Sequence, residues 1–406
     1  MEALKDLAVL AFLAYIAKKN LQIGHVLFLS ALLFGLLHDV SPLNLGINIY
    51  TSLTSTSTLT LFGALFLISL LENIMRHSGS LNRLVSGLKN LSGDPRFAMA
   101  ALPAIIGMLP SPGGARFSAP LVEEASQGIE ADREQKAAVN YWYRHIWEFS
   151  LPLYPANILA VEILQIPFSK FLLLMFPYTI AALLIGLLNF RKISPPAYEK
   201  KRDFTREAWK QILEGLFPIL TIMFLVMAFD IHILLALLAV DIVLYIINVF
   251  LRRVPAPLLW PMLKSSFLPK LLYMVFGAIY LRDILVISGS IQQILNYTQT
   301  INISPILLIV ILAFLMSALT GMTISGVTVA MPMVLTIATP GQLPGLTSLA
   351  FAAAYVGLMI SPLHLCFIMS IEHFSANFAK TYRKVFLPLA LILAFACFYS
   401  YLVYII

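Results

Sequence analysis

The side chains that stand out chemically are charged groups set inside apolar runs. Arg116 is the first. It follows a break in the chain within Gly107–Pro120, GMLPSPGGARFSAP. A guanidinium at membrane depth is costly and functional by default, and its planar fork suits a carboxylate or a phosphate. The plainer reading is an arginine that snorkels out of a shallow hairpin or pairs with Glu123 or Glu124. Arg144, His145 and Glu148 form a second group, just before the run SLPLYPAN (Ser150–Asn157). Arg144 and Glu148 are four residues apart and share a helix face, which favours a structural ion pair. His145 and Glu148 also suit proton relay. His364 lies within a later break, Ile360–His364, and is a candidate for proton coupling or for donating to substrate. Glu162 and Glu372 each lie ten residues past a proline, Pro152 and Pro362. The structural role is the favoured one for both, with Glu372 also a coupling candidate. Arg282 and Asp283 are adjacent and compensate each other, whereas Asp241 has no evident partner.

Breaks of this kind do one physical job. They free backbone N–H groups at half-helix N-termini, where partial positive charge attracts an anion. The carbonyls freed at the opposite half-helix ends suit Na⁺ or a proton donor. Gly113, Gly114 and Gly326 permit close approach because they lack Cβ. Pro110, Pro112, Pro152 and Pro362 keep the helices open. Ser111, Ser118, Asn157, Thr323, Ser325, Thr328 and Ser361 are the side-chain donors nearby. The alternative for these hydroxyls is that they satisfy their own helix carbonyls. Ser111 and Ser325 mark where a coupling Na⁺ would sit, and no other metal site and no cofactor are expected.

The chain that must position these groups has 406 residues, 60% hydrophobic and 12% charged, with a mean hydropathy of +0.88. Soluble domains carry roughly 25% charged residues, so this is an all-α polytopic membrane protein whose surroundings are the lipid bilayer. The net charge of +7 is read as positive cytoplasmic loops, not as a nucleic-acid surface. Cys366 and Cys397 lie in apolar segments without CxxC spacing, so neither a disulfide framework nor a metal site follows. The first apolar stretch, Leu4–Ile16, has no convincing cleavage site and is expected to stay as a helix.

An offset of 210 residues superposes the two parts of the chain. Ser78-Gly79-Ser80 falls on Ser288-Gly289-Ser290, Pro152 on Pro362, Glu162 on Glu372 and Lys170 on Lys380. The segment Gly107–Pro120 falls near Gly321–Pro332, GMTISGVTVAMP. The expected organisation is therefore one repeat over 1–195, a basic linker over 196–210 and a second repeat over 211–406. Each has about five crossings, one re-entrant hairpin (97–125 and 305–338) and one broken helix (138–164 and 346–371). In repeat 1 the further spans are Gly24–Leu37, Tyr50–Leu71 and Phe168–Phe190. In repeat 2 they are Ile212–Phe229, Ile233–Leu251, Leu268–Ile287 and Val385–Ile405. An odd number of crossings inverts the second copy. Basic residues cluster at Lys18-Lys19, Arg76–Arg96, the 191–210 join, Arg252-Arg253 and Lys380–Lys384. Positive-inside logic then puts these loops in the cytoplasm and both termini outside, in the inner or plasma membrane.

An inverted pair of this kind resembles the ion transporter superfamily, which includes divalent-anion/sodium symporters and gluconate permeases. Within it, PSPGGARFSAP and YWYRHIWEFSLPLYPAN (Tyr141–Asn157) resemble a prokaryotic integral-membrane family of unknown function. The resemblance implies secondary transport, with substrate between hairpin tips and helix breaks, and a homodimer. The divalent-anion symporters carry Ser-Asn-Thr at both tips, where this chain has Ser111-Pro112-Gly113 and Ser325-Gly326-Val327, so their carboxylate contacts and sodium sites do not carry over. The function expected is symport of a small anion, an organic acid or oxyanion, with H⁺ or Na⁺. An intramembrane enzyme, a lipid-handling protein and a channel are the alternatives. An enzyme is not expected, because no GxSxG, HExxH or aspartate dyad occurs.

Overall fold

The computed structural model describes residues 22–91, 94–110, 114–190, 205–300 and 302–405, with Lys5, Val9, Phe12 and Ile193. The expected span Leu4–Ile16 and most of the 191–210 join lie outside the described residues. Among those described, the chain is all helix, with no strand. In order come α1 (Ile23–Leu37), α2 (Pro42–Thr54), α3 (Thr56–His77), α4 (Ser80–Leu91), α5 (Pro95–Gly107), α6 (Ala115–Ala125), α7 (Arg133–Arg144), α8 (Pro155–Leu164) and α9 (Phe168–Gly186). The later part holds α10 (Arg206–Phe229), α11 (Ile233–Phe250), α12 (Leu259–Ser266), α13 (Pro269–Ile287), α14 (Ser290–Thr300), α15 (Pro305–Thr320), α16 (Thr323–Ile337), α17 (Leu343–Ile360), α18 (Leu365–Phe374) and α19 (Phe378–Ile405).

Six spans are long and apolar enough to cross a membrane: Thr56–His77, Phe168–Phe190, Arg206–Phe229, Ile233–Phe250, Leu343–Phe374 and Phe378–Val403. A seventh forms if α13 is joined to Ser290–Asn296 across a 63° bend. About 20 residues of helix span the hydrocarbon layer, so the chain is a multi-pass membrane protein by length and composition. The outer helices expose apolar faces, with Leu213, Phe217, Leu220 and Phe224 along α10.

Helix starts recur at a constant spacing of 210 residues: Ile23 and Ile233, Ser80 and Ser290, Pro95 and Pro305, Arg133 and Leu343, Pro155 and Leu365, Phe168 and Phe378. The left-handed residues recur too, Gly79 with Gly289 and Gln165 with Ser375.

Helices α10 and α19 start earlier than expected, at Arg206 and Phe378, and two further differences change how side chains group. The Ser/Thr-rich run 50–71 is not one helix. Ser55 adopts an extended conformation, ends α2 and caps α3, its hydroxyl accepting from Thr58 N–H at 3.2 Å. Hydroxyl side chains compete with the helix for backbone groups, and here they win. The first broken helix also opens earlier than expected. α7 stops at Arg144, a 3-10 turn covers Ile146–Glu148, and α8 resumes at Pro155. Arg144 and Glu148 therefore do not share one continuous helix face.

Two short-helix hairpins, α5–α6 and α15–α16, and the two broken helices, α7/α8 and α17/α18, form the interior. α8 packs on α16 and α18 packs on α6, so the second half of each broken helix sits against the other hairpin. α16 and α17 are buried nearly throughout. So is α7 from Ala137 to Arg144, although it is rich in polar and aromatic residues. Its polar tips find partners across helix boundaries. Asn140 donates to Ser370 Oγ (2.8 Å), Tyr141 to the Met359 carbonyl (3.0 Å) and Trp142 to the Ala182 carbonyl (2.9 Å). Most buried polar groups are paired in this way.

Candidate functional site

Each break is built by local chemistry. α15 ends because Gly321 takes the left-handed conformation (φ 70) and returns its N–H to the Ser317 carbonyl at 2.8 Å, the usual glycine stop. Met322 is extended and α16 begins at Thr323. α17 ends at Ser361, whose hydroxyl donates to the Ala318 carbonyl (2.6 Å) and accepts from Leu363 N–H (3.2 Å). Pro362 follows and cannot continue the ladder. In the first hairpin, glycine permits a close approach. A Cβ at Gly107 would run into the Arg144 carbonyl, and one at Gly114 into the Arg144 guanidinium.

These breaks meet at one buried polar junction. Arg144, His145 and Glu148 come from the end of α7 and the turn after it. Thr323 comes from α16, His364 and Cys366 from the start of α18. Thr323 donates its hydroxyl to Glu148 Oε2 at 2.7 Å. His145 Nδ1 is 2.7 Å from the Tyr141 carbonyl, and His364 Nδ1 is 3.0 Å from the Gly321 carbonyl. A carbonyl only accepts, so Nδ1 carries the hydrogen in both rings. The two Nε2 atoms face each other at 2.9 Å, and Glu148 Oε1 is 3.9 Å from His145 Nε2. The two imidazoles and the Cys366 sulfur offer donor atoms within 4.8 Å of one another. Tyr154 closes one side and donates to the Gly107 carbonyl at 2.6 Å.

The junction borders a cavity of about 200 Å³, lined by Arg144, His145, Glu148, Tyr154, Thr323 and His364 among apolar residues of α1, α3 and α13. Three helix N-termini reach its wall, at Pro155, Thr323 and Leu365. The partial positive charge of these helix ends suits an anion. Arg144 adds a full positive charge.

The expected site residues separate into groups. His145, Glu148, Thr323 and His364 meet at the junction, with Gly114 packed against Arg144. Ser111 and Gly113 lie outside the described residues. Ser325 is buried, its hydroxyl without a partner among the described residues. Gly326 packs closely on Ala313 and Ser317. Thr328, Ser361 and Ser118 direct their hydroxyls to helix carbonyls, of Ile324, Ala318 and Ala115 respectively. Asn157 donates to the Leu151 carbonyl at 2.7 Å. Arg116 is exposed and absent from the cavity wall. Glu123 and Glu124, its alternative partners, pair with His373 (2.8 Å) and Lys89 (2.5 Å). Glu372 is also exposed, and Glu162 lies 3.8 Å from His232.

Arg144, Tyr154 and Cys366 also belong to the junction, and the sequence alone does not mark them as binding residues. A signal for Tyr154 was present, since it occupies the position 210 residues before His364. Cys366 reads as one more apolar residue until its helix is placed.

Fold and junction together define a polytopic helical membrane protein with a polar site where interrupted helices meet. The chain belongs to the family described as "Protein of unknown function (DUF401)", whose model matches residues 3–405. No curated protein matches it.

Proposed function

We propose that this protein is a secondary active transporter of a small anion, an organic acid or an oxyanion, driven by an H⁺ or Na⁺ gradient. The observation that carries the reading is the cavity wall: Arg144 and three helix N-termini line one cavity between the two breaks. Irregular backbone at membrane depth persists where it lines a polar cavity, and interrupted helices around such a site are the mark of transporters. Glu148, fixed by Thr323, stands beside the same space. A fixed carboxylate next to an anion site makes anion entry costly unless a cation enters as well, which is the physical basis of symport.

The repeated helix spacing supports two copies of one unit, and the basic loops support their opposite orientation. In this reading the α5–α6 and α15–α16 hairpins are re-entrant from opposite sides, and both termini lie outside an inner or plasma membrane. The interior helices move against the outer ones in alternating access. The same mechanism and a homodimer are what a resemblance to the ion transporter superfamily would imply.

Uptake of labelled carboxylates, phosphate, sulfate and other oxyanions into proteoliposomes tests this, with Na⁺ or pH gradients imposed separately. Concentrative uptake of one anion class under one gradient is expected, lost in Arg144→Gln. Flux that ignores both gradients contradicts the reading and points to a channel.

A further inference from the structure

We propose that His145, His364 and Cys366 form a binding site for one late transition-metal cation, with Zn²⁺ as the model ion. Both Nδ1–H groups are committed to backbone carbonyls, of Tyr141 (2.7 Å) and Gly321 (3.0 Å). Each Nε2 therefore presents a lone pair, and the two lone pairs point at each other across 2.9 Å. Two acceptors at that distance repel, so a positive centre belongs between them. A histidine oriented through its second ring nitrogen is also the usual arrangement of metal-bound imidazole.

The third donor selects the kind of ion. The Cys366 sulfur falls within the same 4.8 Å cluster. Two imidazoles and a thiolate form a soft-to-borderline set that suits Zn²⁺ or Cu⁺ over Mg²⁺ or Ca²⁺. All three side chains are nine-tenths or more buried, at 4%, 9% and 6% exposure for His145, His364 and Cys366. Tetrahedral Zn–N bonds of about 2.0–2.1 Å imply roughly 3.3 Å between the two nitrogens, so the rings need to part by about 0.4 Å. His145, His364 and Cys366 all line the 200 Å³ cavity, which borders the fourth position, as does Glu148. Three protein ligands and one open position are the pattern of a metal that binds a further ligand. If the transport reading holds, an oxygen of the anion takes that position. The metal site itself does not depend on transport.

The site also ties the end of α7 to the start of α18, across 219 residues of sequence. A bound ion therefore stabilises the junction of the two breaks.

The test uses the full chain, purified in detergent, stripped with a chelator and titrated with Zn²⁺ or Co²⁺. One ion bound per chain, a higher melting temperature and a thiolate-to-Co²⁺ charge-transfer band are expected. Cys397 is the internal control, because it is exposed and outside the cluster. C397S should keep the band. C366S should lose it, with affinity falling about a hundred-fold or more, beyond the loss seen when only an orienting partner is removed. H364Q should weaken binding comparably. Cys366→Ser is nearly isosteric and carries the test if His364→Gln does not fold. The proposal is overturned if folded wild-type protein gives neither band nor melting shift in excess metal, leaving a shared proton between the rings. It is equally overturned if C366S binds as wild type does. Neither result depends on uptake, so failure here leaves the transport reading standing.

Discussion

At the first break, α7 ends on Arg144, His145 caps it, and Glu148 follows in a 3-10 turn before α8 starts at Pro155. At the second, the positions equally far ahead of Leu365 are Ala354, Tyr355 and Leu358. Both following helices close on a left-handed residue, Gln165 and Ser375. Both breaks also reach back to a glycine carbonyl, Tyr154 to Gly107 and His364 Nδ1 to Gly321. The backbone plan is shared, and the charge is not. Interrupting a helix is thus common to both copies, whereas Arg144, His145 and Glu148 are confined to the first. The second break answers with His364 and Cys366, one face of a site that neither break completes alone.

The largest effect should come from making the first break like the second. Arg144→Ala, the residue found at 354, should weaken anion binding by roughly ten- to a hundred-fold, since a charged hydrogen bond contributes about 1.5–3 kcal/mol. Isothermal titration on folded protein measures this, and unchanged affinity would remove Arg144 from the site. Next comes the close approach that holds the first break. Gly107→Ala puts a methyl group against the Arg144 carbonyl and should cost about 1–3 kcal/mol. Gly341→Ala, where nothing lies within 4 Å, is the control for its melting temperature. At the second break, Ser361→Ala removes one donor to Ala318 and one acceptor for Leu363. Denaturation should register about 1 kcal/mol. A small effect is expected for Arg116→Ala. An exposed side chain away from the cavity should change stability by no more than about 0.5 kcal/mol, and ligand affinity should not move.

Much of the skeleton was legible in the chain itself. Gly321 and Pro362 end their helices where a glycine and a proline must, and the 210-residue spacing was visible from matched residues such as Gly79 and Gly289. The site was less legible, for physical reasons. Arg116 and Arg144 are both arginines beside a break, and only packing decides which one faces the cavity. The favoured Arg144–Glu148 helix pair assumed a helix that stops at Arg144. His145 and His364 pair over a distance no local pattern encodes. Cys366 looked like an apolar filler because a thiol has no signature without its neighbours. Ser55, in a run of hydroxyl residues, gave no warning that it would cap one helix and end another.

Asp241 is buried in α11, and neither carboxylate oxygen has a partner among the described residues. Asp241→Asn should fold and bind anion as well as wild type, because no ion pair is broken.

The most direct measurement is the melting temperature of purified protein across a panel of carboxylates, phosphate, sulfate and oxyanions, for wild type and Arg144→Gln. Binding to the folded state alone raises the midpoint with ligand concentration. The account predicts that one anion class stabilises wild type and leaves Arg144→Gln unmoved. A shift of equal size in the variant, or none in wild type from any anion, would contradict an anion site between the two breaks.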